Sequence, residues 1–557
     1  MALCLPESVA DFASKGSGWA VDYDFDYLVI GSGFGGSTAA HRLSQKGYKV
    51  GMMEMGRRWS AETYPRSNWH FHRWLWRPML GLKGFFNLRW FKHVLVLHGN
   101  AVGGGSITYA NTLLVPKPEI WQQGSWAGLK DWQAEMPAHY ASAQKMLGVT
   151  ENRILGPADH LLKEAAEDWG CGESFYKTQV GVFFGDEGEA QGKSYPDPYF
   201  DGEGPERNSC IACGGCMVGC RYNAKNSLDK NYLYFAEKQG TQVFAETKVV
   251  NVVPLNGKAD GEDGYEITTV SSTSLLFRKT RRWRARAVVF AASSLGTQDL
   301  MFKLRDKGSL PNISSQLGRR VRTNAESLIG VRLPGEQNMD AGIAIGSGIY
   351  LDDKTHIEAT RYPRGSDAMG LLVTAMTRGK PDWRRIFNWL FTMLKLLIKS
   401  PKQAVTSLIP FGLARQTIIL LCMQTLDGHI DMQYRRAWYW PWRKRMVSVG
   451  DPIPAHIPEA SEFALRTARR LGGMAGSLIT EVLFNIPATA HCMGGVGMAS
   501  SPDGGVIDSQ NRVFGYRNML VCDGSMLSSN LGVNPSLTIT ALTEHAMSFI
   551  PAKADAA

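Results

Sequence analysis

Several things are missing from this sequence of 557 residues. No stretch approaches the roughly 18 consecutive apolar residues that a membrane-crossing helix requires. The opening segment, MALCLPESVADFASKGSGWA, has no positive stretch leading into an apolar run, so no secretory leader is expected. Cysteine is sparse: of nine, Cys4, Cys171, Cys422, Cys492 and Cys522 stand alone. Isolated thiols suit a reducing compartment, so the expected location is cytoplasmic. Charge is also limited: 61 basic and 51 acidic residues leave +10, too mild to imply nucleic acid. A charged fraction of 20% and a hydrophobic fraction of 44% exclude a disordered chain, a collagen and a small disulfide scaffold. At roughly 150 residues per domain, length alone suggests three or four domains.

Glycine and tryptophan, in contrast, are abundant. There are 59 glycines, about one residue in nine, and 16 tryptophans. The first glycine-rich turn lies in YDFDYLVIGSGFGGSTAAHRLSQKGYKVGMMEMGRR, residues 23–58. Tyr27–Ile30 reads as a buried parallel strand. Gly31, Gly33 and Gly36, around Phe34 and Gly35, then form G-x-G-x-x-G before a helical pattern. Gly31 permits the tight turn, Gly33 lets the backbone approach a pyrophosphate, and Gly36 lets the helix pack closely on the strand. The helix N-terminus offers N–H groups to phosphates. A second strand, Tyr48–Met53, ends at Glu54, an acceptor for a ribose diol. Together these predict a dinucleotide site, for FAD or NAD rather than NADP. Gly103, Gly104 and Gly105 in HGNAVGGGSITYAN form a backbone flat enough to lie against a large planar ligand. Near the C-terminus, the apolar run Met519–Asp523 leads into a helix starting near Pro535, which again directs N–H groups at a ligand.

Five blocks, taken together, resemble the glucose–methanol–choline family of flavin alcohol oxidoreductases. They are GSGFGGS at 31–37, GNAVGGGSITYAN at 99–111, VVFAASSLGTQDLM at 288–301, the PATAHCMGG block around His491, and DGS…VNPSLTITALTEHA at 523–546. Within that family VGVFFG, PDPYF, THIEATRY and NLGVNPSLTI are most similar to the cholesterol-oxidase branch. The resemblance implies an α/β fold: a doubly wound, Rossmann-like FAD-binding domain with an inserted α+β substrate-binding domain. The FAD domain is expected from 20–120, 205–325 and 481–550, with a Cys-rich insert at 205–225. The substrate domain is expected from 121–204 and 326–480. Cofactor contacts are implied at Ser106, Asn111, Val249, Ala292, Asp523, Gly524, Asn534 and Pro535 as well as at the glycines and Glu54, with Asn324 as a further candidate. The resemblance places His491 at the catalytic histidine, Asn534 at its partner across the flavin, and Glu358 at a buried carboxylate that moves a proton during double-bond isomerisation. Histidine suits removal of the alcohol's hydroxyl proton because its pKa lies nearest neutrality. A strand glutamate is otherwise more often a solvated face. The family block usually has proline after the histidine; here it has Cys492.

Two features lie outside that resemblance. Cys210, Cys213, Cys216 and Cys220 have the spacing C-x2-C-x2-C-x3-C of a bacterial ferredoxin run, with Arg221 where proline is usual. This points to a [4Fe–4S] cluster, with structural zinc and a redox disulfide as alternatives. A cluster implies an electron outlet to a quinone, cytochrome or ferredoxin. Second, nine of the tryptophans fall in 69–90 and 383–442, among Arg and Lys. WRRIFNWLFTMLKLLIK at 383–399 suits a helix lying in a membrane interface, and RRAWYWPWRKR at 435–445 suits the headgroup zone. The alternative is a buried core helix beside a basic surface loop. The expected activity is therefore oxidation of a hydrophobic secondary alcohol, a sterol 3β-hydroxyl, at the inner face of a membrane. A long-chain or terpenoid alcohol, or a flavin and iron–sulfur electron-transfer subunit, are the alternatives.

Overall fold

The apolar run at 27–30 sits inside the strand Phe25–Ile30, buried along nearly its whole length. It pairs in parallel with Val50–Met53 on one side and Thr280–Phe290 on the other. These strands centre a seven-stranded sheet in the computed structural model, which describes residues 22–274, 278–377, 384–437, 440–451 and 453–555. The opening segment, Trp383 and Trp438 lie outside the described residues. Gln242–Phe244 extends the sheet beyond Val50–Met53. On the opposite side Thr280–Phe290 changes neighbour along its length. Its first half pairs antiparallel with Tyr265–Ser271, and its last residues pair in parallel with Met519–Val521. Strands from three distant stretches of chain thus end at one edge, and ligands of open α/β sheets bind there, beyond the carboxyl ends of the strands.

The helix Phe34–Gln45 follows the first strand and packs against Tyr232–Lys238 and Ser536–Ser548. A second seven-stranded sheet, entirely antiparallel, has the order Val373–Ala375, Met474–Leu478, Ser327–Arg332, Thr417–Gln424, Thr355–Thr360, Ile345–Tyr350, Tyr176–Lys177. Its two faces are divided by the alternation of side chains. Ile418, Leu420 and Cys422 join a core with the helices Pro157–Trp169 and Pro458–Arg470. Ile419 and Leu421, pointing the other way, line a cavity between the two sheets. One segment crosses over: the hairpin of Asp431–Ala437 with Trp440–Val449 docks on the helix Ser294–Asp306, through Tyr434 stacked on Phe302.

Candidate active site

The cavity has a volume of about 1440 Å³. One ligand usually occupies roughly 300–1,000 Å³, so this space suits a dinucleotide and a second large molecule. At one end lies the turn between the first strand and its helix. Gly31 has φ +106°, and a Cβ there would meet the Ala291 carbonyl oxygen at 2.3 Å. Gly33 differs: a Cβ added there meets no protein atom within 4 Å, so the space beside its backbone is open. Gly33 also begins a helix with no side-chain cap, which leaves the first N–H groups for a ligand. Behind Gly33 stands Gly104, whose own Cβ would come within 2.4 Å of the Gly33 Cα. The residues present therefore fit a bound pyrophosphate.

Gly31, Gly33, Phe34, Gly35, Glu54, Gly104, Gly105, Val249, Ala292, Asp523, Gly524, Asn534 and Pro535 all line this cavity. Glu54 accepts from the Ser32 amide at 3.1 Å, the Ser32 hydroxyl at 2.8 Å and the Gly56 amide at 2.7 Å. Burial raises its pKa against those bonds. Asp523 is held by Ser525 and by the Thr297 hydroxyl at 2.5 Å, and burial raises it too.

Five expected contacts sit behind the wall instead. Gly36 is packed on the Gly31 carbonyl, where a Cβ would lie at 2.1 Å. Gly103 and Ser106 close a turn on each other, the Ser106 hydroxyl donating to the Gly103 carbonyl at 2.7 Å. Asn111 faces away and donates to the Cys216 sulfur at 3.0 Å. Asn324 accepts from the Gly532 amide at 2.8 Å and donates to the Val533 carbonyl at 3.1 Å, so it braces the chain just before Asn534.

At the other end of the cavity His491 and Asn534 meet, with His491 Nε2 3.5 Å from Asn534 Nδ2. Glu326, which no sequence signal marked, makes an ion-pair contact with His491 Nδ1. Its other oxygen accepts from the Ala490 amide at 2.9 Å. Burial works against a charged His491, but the Glu326 carboxylate, with Glu358 beyond, outweighs it and holds the imidazole above its ordinary pKa. Glu358 is fully buried in a strand whose six residues are all buried, so the solvated-face reading of that strand does not hold. It does not line the cavity, however. Its Oε2 accepts from Asn534 Nδ2 at 3.2 Å, one layer back, and its Oε1 has no protein partner. Burial pushes the Glu358 carboxyl up to about 7. Around these polar groups the wall is apolar, with Phe86, Leu328, Tyr362, Met369, Leu413 and Ile419. The arrangement can take a proton from a ligand hydroxyl and return it, in a pocket that otherwise offers hydrocarbon contact.

Cys210, Cys213, Cys216 and Cys220 are unbridged and line one small pocket of their own. Among the described residues no three His, Cys, Asp or Glu side chains are grouped as a single metal ion requires. Neither the expected [4Fe–4S] cluster nor the zinc alternative therefore finds a metal-holding group among the described residues. Burial raises the Cys210, Cys213 and Cys216 thiols, Cys213 to about 11.

The comparisons agree with this geometry. The description "GMC oxidoreductase" matches residues 205–304 and 457–543, and "NAD(P)-binding Rossmann-like domain" matches 29–86. A cholesterol oxidase of Acinetobacter baumannii is 60% identical over 96% of this chain and 95% of its own length. The chain belongs to the GMC oxidoreductase family. It is an FAD-dependent alcohol oxidoreductase of that family, as its catalytic blocks and Rossmann-like segment require. A cholesterol oxidase of Mycobacterium tuberculosis is 42% identical over 96% of this chain and 92% of its own. The fold is shared with a pyridoxine 4-oxidase from Mesorbium loti, with TM-score 0.58 and 13% identity, covering 94% of this GMC chain and 98% of that one.

Proposed function

We propose that this GMC oxidoreductase oxidises the 3β-hydroxyl of a sterol to the ketone. The observation that carries the reading is the His491–Asn534 pair, 3.5 Å apart at the wall of a large apolar cavity continuous with the dinucleotide turn. Two relatives named cholesterol oxidase support the substrate class. Bound FAD supplies the hydride acceptor. His491 Nε2 takes the hydroxyl proton, and the carbinol hydrogen leaves with its electron pair as the C=O bond forms. Glu326 stabilises the imidazolium and fixes which ring nitrogen faces the substrate. Asn534 donates one Nδ2 hydrogen to Glu358 at 3.2 Å and orients the alcohol oxygen with the other. Glu358 then moves a proton between ring carbons to shift the double bond. Its raised pKa and open Oε1 support that role, although Asn534 stands between it and the cavity. Product analysis tests it: Glu358→Gln should yield the ketone with its double bond unmoved. Fully isomerised product from that variant would remove Glu358 from the reaction.

Two further elements belong to the proposal. The C-x2-C-x2-C-x3-C spacing of Cys210, Cys213, Cys216 and Cys220 supports an iron–sulfur cluster on this loop. When loaded, the cluster provides a one-electron outlet to a quinone, cytochrome or ferredoxin. Anaerobically purified protein should contain about four irons per chain, and iron-free protein would refute this. The enzyme also docks on a membrane surface. No described helix is long and apolar enough to cross a bilayer, but Arg385–Lys399 points Ile386, Phe387, Leu390, Phe391, Leu394, Leu397 and Ile398 into solvent, at helical spacing. Its Trp389 donates to Thr374 at 3.0 Å, beside Val373 of the cavity wall. On the hairpin, Arg435 lies opposite Arg445 and Arg436 opposite Lys444, which pairs with Asp306, so the hairpin presents a basic strip suited to anionic headgroups. At the mouth of the cavity Met79 is 83% exposed.

A further inference from the structure

The alcohol chemistry uses neither His356 nor Tyr176, yet both are built around the strand that carries Glu358. His356 is 1% exposed and stands two residues before Glu358 in Thr355–Thr360. Alternation puts the two side chains on one face of that strand. Both ring nitrogens of His356 are engaged. Nδ1 lies 3.1 Å from the Gly532 carbonyl oxygen, and Nε2 lies 2.6 Å from the Tyr176 hydroxyl. A carbonyl oxygen only accepts, so Nδ1 carries the hydrogen. Burial depresses the imidazole to about 4, which leaves Nε2 without a proton near neutrality. Nε2 therefore accepts, and the Tyr176 hydroxyl donates. Burial, with Glu358 nearby, keeps that hydroxyl protonated. Tyr176 thus fixes the tautomer of His356, and Tyr350 stacks on its ring at 4.7 Å. Room for this is provided by Gly348, which pairs with Glu358 on one side and Tyr176 on the other. A Cβ on Gly348 would lie 2.6 Å from the Tyr176 hydroxyl oxygen.

The bond from His356 holds the backbone that leads to Asn534. Gly532 has φ +70°, and a Cβ there would meet Thr425 Cγ2 at 2.4 Å. The Gly532 amide donates to Asn324 Oδ1 at 2.8 Å, and the Val533 carbonyl accepts from Asn324 Nδ2 at 3.1 Å. His356 holds the remaining polar group of Gly532, its carbonyl. Asn534 follows directly, donating to Glu358 Oε2 at 3.2 Å and facing His491 at 3.5 Å. His356 is therefore bonded to the segment behind one partner of the Asn534–Glu358 contact and shares a strand with the other.

Resting on the reading of Glu358 as the carboxylate that moves the double bond, we infer that His356, with its tautomer set by Tyr176, is a positioning residue that keeps Asn534 aligned with Glu358 and so couples alcohol oxidation to double-bond movement. When the clamp is lost, Asn534 drifts from both the alcohol oxygen and Glu358. Oxidation slows, and ketone leaves before its double bond has shifted.

The test uses full-length, FAD-loaded enzyme with an unsaturated 3β-hydroxysterol, reading kcat, KM and the ratio of unshifted to shifted ketone. Misplacing a reacting group by about 1 Å costs up to about 100-fold, so His356→Leu should lower kcat by roughly 10- to 100-fold. Its KM should change far less, and the unshifted ketone should become its main product. His356→Asn, whose side-chain amide can still donate to the Gly532 carbonyl, should recover most of both losses. Tyr176→Phe removes only the hydroxyl; it should move the product ratio in the same direction by less, and keeps the test available if His356→Leu does not fold. A wild-type product ratio in His356→Leu and Tyr176→Phe overturns this inference alone, as does a loss in His356→Asn equal to that in His356→Leu. Fully shifted product from Glu358→Gln overturns the reading of Glu358, and this inference with it.

Discussion

Replacing Glu326 by Gln keeps the shape of the carboxyl group and removes its charge from His491. As the substrate hydroxyl loses its proton, His491 becomes cationic beside that carboxylate. Two unit charges about 4 Å apart attract by about 4 kcal/mol at an effective dielectric near 20. Solvent-free burial favours keeping much of that value, since Glu326 is 1% exposed. At 1.36 kcal/mol per decade, losing half to three-quarters of it slows hydride transfer by roughly 30- to 160-fold. The pH dependence has a definite sign. Burial lowers the His491 pKa and Glu326 raises it, so without the charge the imidazole deprotonates at lower pH. The acid limb of kcat/KM should therefore move to lower pH as the plateau falls. Stopped-flow flavin bleaching without oxygen reads both quantities and does not involve the electron acceptor. A variant within threefold of wild type, with its acid limb unmoved, would refute the account of Glu326.

Gly33→Ala should fold normally, because its Cβ meets no protein atom, and should lose most of its FAD; full flavin content would place the pyrophosphate elsewhere. Glu481 is fully buried, and burial pushes its carboxyl up to about 7 from 4.5. A raised carboxyl contributes stability that is complete below pH 4.5 and lost as pH rises through 7. That loss is about 3 kcal/mol at pH 8. Glu481→Gln should thus melt higher than wild type at pH 8 and no higher at pH 5; equal melting at both would contradict it. Phe391→Ser with Leu394→Ser removes two exposed side chains worth about 1.5 kcal/mol or more each when covered, roughly a tenfold loss of binding per residue. Co-flotation with anionic liposomes should fall accordingly, and unchanged flotation would clear this helix of a docking role.

How much could be read in the sequence depended on whether a residue's task was local. The turn at Gly31, Gly33 and Gly36 was legible because strand, turn, helix and acid follow one another within a single βαβ unit. Its expected roles match the packing: Gly31 against Ala291, Gly36 against Gly31, and Gly33 open. His491 and Asn534 are 43 residues apart and carry no local pattern, so only the family resemblance marked them. Glu326 was invisible. It sits in a polar run just before Ser327–Arg332, and its partner His491 follows Met474–Leu478, a neighbour of that strand in the sheet but far from it in the chain. Asn111 misled for a related reason: it ends a loop whose neighbours face the cavity, but its φ of +67° turns the side chain toward Cys216. Glu358 looked like one face of an alternating strand. The sheet packs on both sides, so that alternation separates core from active site rather than core from water.

Anaerobic bleaching of the flavin by a 3β-hydroxysterol, in wild type and in His491→Ala, tests the central claim most directly. Wild type should bleach in a single fast phase with the sterol and far more slowly with linear long-chain alcohols or the 3α epimer. His491→Ala, still holding FAD, should lose that phase by several orders of magnitude. Equal bleaching of both proteins, or a wild type indifferent to sterols, would contradict the assignment of His491 and of the substrate class.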